Sequence, residues 1–132
     1  MNKPISKQIE PYNDMTRELF TRGDYKDNSV YPKGRVIKVR KGSLDDGLVA
    51  EIVTVVEDEK IVAAKYRIYG CPHSIASLEW ICEKIDGLII HDLSKIDLSN
   101  LKNLLLIPIE KTSLILLLED VLDEIRLQLE LK

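Results

Sequence analysis

The period of the hydrophobic pattern changes at Gly70, and this change limits the possible folds more than any other feature. Before Gly70, three stretches rich in Val and Ile predict β-strands, in which successive side chains point to opposite faces; they span residues 35–41, 48–57 and 61–69. After Gly70, apolar residues recur every three or four positions, as is typical of amphipathic helices. Strands followed by helices, not alternating with them, predict an α+β domain with an antiparallel sheet covered on one face.

The segments before the sheet are predicted to form a leader, a helix and a loop. Residues 1–11 are mostly polar and contain two prolines, which indicates a loose leader. Asn13 or Asp14 can cap a short amphipathic helix, and Gly23 ends it. Residues 23–34 are rich in Gly, Asp, Asn, Ser and Pro and are expected to connect this helix to the first strand.

The residues after Gly70 are predicted to form a series of helices. The first of them is expected to end at Gly87, one or two short helices fit residues 88–106, and Pro108 ends these. A last helix is expected to bury a stripe made of Leu114, Leu118, Val121, Ile125 and Leu129. All elements fit a single domain over residues 1–132, a length that can bury one core.

Charge and hydrophobicity exclude several classes of protein. The formal net charge is −3, whereas nucleic-acid binding needs a cationic surface, so no nucleic-acid partner is expected. The longest apolar run, residues 114–118, is far short of the ~20 residues that span a bilayer, so no membrane segment is expected. Since the N-terminus lacks the apolar core of a signal peptide, the predicted location is the cytoplasm.

Cys71 is the main candidate for chemistry because it lies where a strand ends and a helix begins. Backbone N–H groups at a helix N-terminus stabilise a thiolate, which is the form that attacks sulfur or binds metal. A small buried hydrophobe at a tight turn is the alternative. Cys82 belongs to the apolar stripe of the next helix and is expected to pack in the core.

Three residues are candidate helpers of Cys71, each with an alternative role. His73 could share a metal with Cys71 or lie exposed in the first helical turn. Asp45 and Asp46 follow the first strand, at the same end of the sheet, and could complete a metal site or serve only as turn residues. With two histidines in the chain and no phosphate-binding loop or nucleophile motif, no enzymatic activity is expected.

Residues 64–77, which include the stretch Gly-Cys-Pro-His-Ser-Ile-Ala-Ser, resemble the central block of the NifU/IscU family of iron–sulfur cluster assembly scaffolds. Gly87, Pro108, Lys111 and residues 117–122 extend the resemblance over most of the chain. The resemblance implies an N-terminal helix, a three-stranded antiparallel sheet and C-terminal helices packed on one face. It also implies a cluster bound by three cysteines with help from an Asp and a His, and a chaperone-binding segment that contains Pro108 and Lys111.

The sequence departs from the family pattern at most of the implied cluster ligands. Asp45 takes the position of the first cysteine, and Ser113-Leu114 replaces the His-Cys pair before the last helix. Only Cys71 remains of the three cysteines. We therefore expect a divergent scaffold-family protein in which Cys71 binds metal or accepts sulfur, with Asp45, Asp46 and His73 as helpers. An iron–sulfur cluster, iron or zinc, or no cofactor at all are the open alternatives.

The resemblance also implies partners for the chain, namely a cysteine desulfurase and a chaperone. The loss of two cysteines favours an alternative function, an interaction or regulatory module that binds these partners without carrying a cluster. A third alternative is a homodimer that shares a cluster between two copies of Cys71.

Overall fold

The computed structural model describes residues 12–130, without the side chain of Glu130; the leader predicted over residues 1–11 lies outside this range. It has the predicted α+β order of one helix, three strands and then helices. The α-helices and strands are α1 (Asp14–Arg22), β1 (Arg35–Ser43), β2 (Leu48–Glu57), β3 (Lys60–Tyr69), α2 (Pro72–Ile85), α3 (Leu101–Leu105) and α4 (Thr112–Glu130). Two 3₁₀ segments, Ile90–Lys95 and Ile109–Lys111, join the C-terminal helices.

The sheet is antiparallel in the order β1-β2-β3, which confirms the predicted meander. The central strand β2 is buried on both faces, because Ala50 and Ile52 join the main core while Val53 and Val55 are buried on the opposite face. On that face, the loop before β1 approaches the sheet: the carbonyl of Val30 accepts a hydrogen bond from Lys65 at 2.5 Å. The helices therefore cover one face of the sheet, and a loop covers part of the other.

The first helix begins and ends where the sequence predicts, whereas α2 ends at Ile85, two residues before the predicted Gly87. The side chain of Asn13 accepts a hydrogen bond from the Thr16 backbone at 2.9 Å, and Gly23 ends α1 in a left-handed conformation. The predicted stripe of α4 is buried at all five positions. No helix within residues 12–130 is long and apolar enough to cross a membrane.

A buried carboxylate joins α1, α2 and β3. Glu79 is 0% exposed and accepts hydrogen bonds from Arg22 Nε at 2.9 Å and from Tyr66 Oη at 3.0 Å. The backbone N–H groups of Asp24 and Tyr25 also donate to it, at 2.8 and 3.2 Å. Burial and the bond to Glu79 raise the pKa of Tyr66, so this phenol stays protonated and keeps donating. The network fixes α2 against the sheet and so fixes the position of Cys71, which precedes α2.

Candidate functional site

Cys71 occupies the tight turn between β3 and α2. It is the last residue before the helix, with extended backbone dihedrals of −92° and 171°, and its side chain is half-buried. The backbone of Gly70 approaches its neighbours so closely that an added Cβ would overlap Ser74 Oγ and lie 2.9 Å from Leu48 Cδ1. Glycine at position 70 therefore permits the close packing that sets the sulfur at the start of α2.

The surroundings of Cys71 favour its thiolate form. Burial raises the pKa of the Cys71 thiol, but the Ser74 backbone N–H and the Lys111 ammonium lower it, and the net pKa lies below its ordinary value. Lys111 Nζ donates to Cys71 Sγ at 3.3 Å. A lowered pKa and partial exposure are the two properties that distinguish a reactive cysteine from an inert one.

Lys111 reaches Cys71 from a separate part of the chain. Pro108 begins the segment, and its carbonyl accepts a hydrogen bond from the Lys111 backbone at 2.9 Å in a 3₁₀ turn that leads into α4. The sequence resemblance predicted Lys111 only as a partner-binding residue. Its contact with the thiol was not predicted, because the two residues are 40 positions apart and no local pattern joins them.

His73 is buried, so the alternative that placed it exposed in the first helical turn is wrong. It is 2% exposed, and the ring of Tyr12 packs edge-on against it with 4.7 Å between ring centroids. Its Nδ1 lies 3.0 Å from Lys111 Nζ. Burial and the nearby Lys111 charge lower the pKa of His73 below its ordinary value, so the imidazole is neutral near neutral pH.

Asp45 and Asp46 are both exposed in the loop between β1 and β2. The Asp46 carboxylate accepts a hydrogen bond from Ser43 Oγ at 3.0 Å, and its backbone N–H donates to the Ser43 carbonyl at 3.2 Å. These are the bonds of a turn. Neither aspartate lines the cavity beside Cys71, although the next residue, Gly47, does.

The cavity beside Cys71 has a volume of about 140 Å³. Its lining comprises Gly47, Leu48, Cys71, Ser74, Glu110, Lys111, Ser113 and Leu114. Positions 113 and 114, where the family resemblance places a His-Cys pair, therefore face the same space as the sulfur. Here they carry a hydroxyl and an apolar side chain.

The side chains at this site do not fit an iron–sulfur cluster. Clusters are held by about four ligands, most of them thiolates, and Cys71 is the one thiol that lines the cavity. Within residues 12–130, no three His, Cys, Asp or Glu side chains come together in a way that could hold a metal ion. The Lys111 ammonium also places a positive charge next to the sulfur, which opposes a second cation there.

The second cysteine lies where the sequence predicts, in the core. Cys82 is 0% exposed in the core, and burial raises the pKa of its thiol well above the ordinary value, so it is inert. His91 is an exposed residue of the 3₁₀ segment after α2.

A family model described as the NifU-like N terminal domain matches residues 22–129. No curated protein matches the chain significantly. The matched range contains the whole sheet, Cys71, His73 and Lys111, and it leaves Tyr12 outside.

Proposed function

Because the chain belongs to the NifU-like N-terminal domain family of iron–sulfur cluster assembly scaffolds, we propose that it handles sulfur for cluster assembly and accepts a sulfur atom on Cys71 from a cysteine desulfurase. The observation that carries the proposal is the half-buried thiol at a helix N-terminus, 3.3 Å from an ammonium group. A cluster needs several thiolates, whereas a persulfide needs only one. The protein acts as a carrier in this role, not as a catalyst.

The transfer is a thiol–disulfide type of exchange in which no net oxidation occurs. The Cys71 thiolate attacks the outer sulfur of the persulfide on the desulfurase, and a new S–S bond forms on Cys71. The S–S bond of the donor breaks, and the donor cysteine leaves as a thiolate. Lys111 stabilises the negative charge on Cys71 Sγ before the transfer. The charge leaves on the donor thiolate, which takes the proton of the new persulfide, and Lys111 then stabilises the negative charge on the terminal sulfur.

The cavity beside the Cys71 sulfur can hold the terminal sulfur atom of the persulfide product. A water molecule takes about 30 Å³ of liquid volume, so a cavity of about 140 Å³ has room for one added sulfur atom. Ser74 and Ser113 contribute hydroxyl groups to its lining, and Leu114 contributes an apolar wall. No step of the transfer requires a metal.

Incubation with a cysteine desulfurase and free cysteine tests the proposal. We expect the intact mass of the protein to rise by one sulfur atom, and peptide mapping to place that atom on Cys71. Cys71→Ser should gain no sulfur, because a hydroxyl does not form a persulfide. Cys82→Ala is the matched control and should gain sulfur like the wild type, since Cys82 is fully buried. An unchanged wild-type mass, or sulfur on Cys82, would contradict the proposal.

A second candidate function, an interaction module that binds a desulfurase or a chaperone, is favoured by the exposure of the segment after Pro108. Ile109 is 75% exposed, and Pro108 and Lys111 are the residues we propose for partner binding in this function. The two functions differ in their need for the thiol. A Cys71→Ser variant that keeps both partner binding and the cellular effect would favour the module, whereas a sulfur carrier should lose the effect.

A further inference from the structure

We propose that His73 is a positioning residue that holds the Lys111 ammonium beside the Cys71 sulfur, an inference that rests on the proposed sulfur-acceptor function. Lys111 Nζ lies 3.0 Å from His73 Nδ1 and 3.3 Å from Cys71 Sγ. A lysine side chain is flexible and strongly hydrated, so one weak contact with sulfur would not keep it in place. The imidazole of His73 supplies a second acceptor, which keeps the ammonium in place.

The hydrogen-bonding of His73 is determined by its partner. An ammonium group can only donate, so Nδ1 must be the unprotonated nitrogen and Nε2 must carry the proton. Nε2 is buried and has no hydrogen-bond partner among residues 12–130. An unpaired buried donor costs about 1–3 kcal/mol. A histidine is therefore a poor choice for packing alone, and its bond to Lys111 is the contribution that an apolar residue could not make.

Tyr12 holds the imidazole in the orientation that this bond requires. Its ring meets His73 edge-on and lies 5.9 Å from Lys111 Nζ, close enough for a cation–π contact. Tyr12 is fixed in turn by the next residue, because the Asn13 side chain donates to the Leu104 carbonyl at 2.9 Å. The ammonium thus has neighbours on three sides.

The arrangement leaves one donor of Lys111 for the transferred sulfur. The ammonium has three N–H groups; among the described residues, Cys71 Sγ and His73 Nδ1 accept two of them. The third is free to donate to the terminal sulfur of a persulfide on Cys71. His73 would thus stabilise both the attacking thiolate and the product, although it touches neither.

A double-mutant cycle between His73 and Lys111 tests this role through alkylation of Cys71 by iodoacetamide, measured as a function of pH in the Cys82→Ala background. His73→Leu has a similar size but no acceptor, so we expect it to slow alkylation at neutral pH about two- to fivefold and to move the rate profile to higher pH. In a Lys111→Met background the same substitution should change nothing, because its effect passes through Lys111. His73→Asn should restore the rate, since its side-chain oxygen can accept in place of Nδ1.

Two results would overturn the inference. One is that His73→Leu changes the alkylation rate equally with and without Lys111; the other is that it does not change the rate when Lys111 is present. Circular dichroism checks that each variant is folded, and His73→Phe, which keeps an aromatic ring against Tyr12, replaces the leucine variant if that variant does not fold. Alkylation needs no desulfurase, so the two proposals can fail separately. If the alkylation rates follow the expected double-mutant cycle but the protein accepts no sulfur, the proposed function is rejected and the role of His73 stands.

Discussion

Replacement of Glu79 by alanine is expected to lower the free energy of unfolding by about 3–5 kcal/mol, because several buried donors lose their acceptor at about 1–3 kcal/mol each. The substitution leaves the Arg22 guanidinium and the Tyr66 hydroxyl without their shared acceptor, and two backbone N–H groups lose theirs as well. Urea denaturation followed by circular dichroism measures the loss. Because Glu79 lies on the helix that begins beside Cys71, the position of the Cys71 thiol should also be less well defined in the variant.

Glu83 provides a matched control for this experiment. It also pairs with Arg22, at 3.0 Å, but its side chain is 42% exposed. Exposed ion pairs contribute about 0–1 kcal/mol, so Glu83→Ala should unfold close to the wild-type urea concentration. Glu79→Gln keeps one acceptor oxygen and should fall between the two. Equal losses for Glu79→Ala and Glu83→Ala would show that the buried network contributes no more than a surface pair.

Replacement of Lys111 by methionine is expected to slow sulfur uptake by Cys71 about three- to tenfold at neutral pH, because the lost thiolate is only partly offset by the greater nucleophilicity of a more basic thiol. Methionine keeps the length and flexibility of the side chain and removes its charge. The Ser74 backbone N–H and the Lys111 ammonium together hold the pKa of Cys71 below its ordinary value. Because the variant loses the contribution of the ammonium, the wild type should stay reactive to lower pH than the variant. Above both pKa values both thiols are fully ionised, so the variant should react slightly faster than the wild type, because the more basic thiolate is the stronger nucleophile. Rates of persulfide formation and of alkylation across pH measure the effect.

Two further variants separate the local charge from a general loss of lysine. Lys111→Arg keeps a positive charge near the sulfur and should retain most of the rate. Lys95→Met removes a lysine that pairs with Asp92 on the surface and should react like the wild type. Superimposable pH profiles for the wild type and Lys111→Met would mean that the contact at 3.3 Å does not influence the thiol.

The fold could be predicted because each helix and strand has a recognisable pattern within its own sequence. The strands follow from short runs of Val and Ile, and the buried stripe of α4 follows from its helical spacing. The Gly-Cys turn could also be located, since a change of period marks it. The bounds differ from prediction at strand ends, where β1 continues to Ser43 and β3 begins at Lys60, and at the end of α2, which stops at Ile85 and not at Gly87.

The contacts within the site could not be predicted, because they join parts of the chain with no shared local pattern. Lys111 lies 38 residues from His73, and Glu79 lies 54 or more from the backbone donors and the arginine that it binds. His73 was open to an exposed interpretation because nothing near it in sequence revealed that Tyr12 would cover it. The two aspartates illustrate the reverse case: their turn bonds are local, and glycines around them already suggested a turn.

The long sequence separation within the site has a consequence during synthesis of the protein. A nascent chain has neither the α2 helix nor Lys111 beside Cys71, so its thiol has the ordinary, higher pKa and reacts slowly. Cys71 and Lys111 are 40 positions apart, so they can meet only after the segment following Pro108 has left the ribosome and packed. The full reactivity of the sulfur is therefore expected only after the residues up to Lys111 have folded around it.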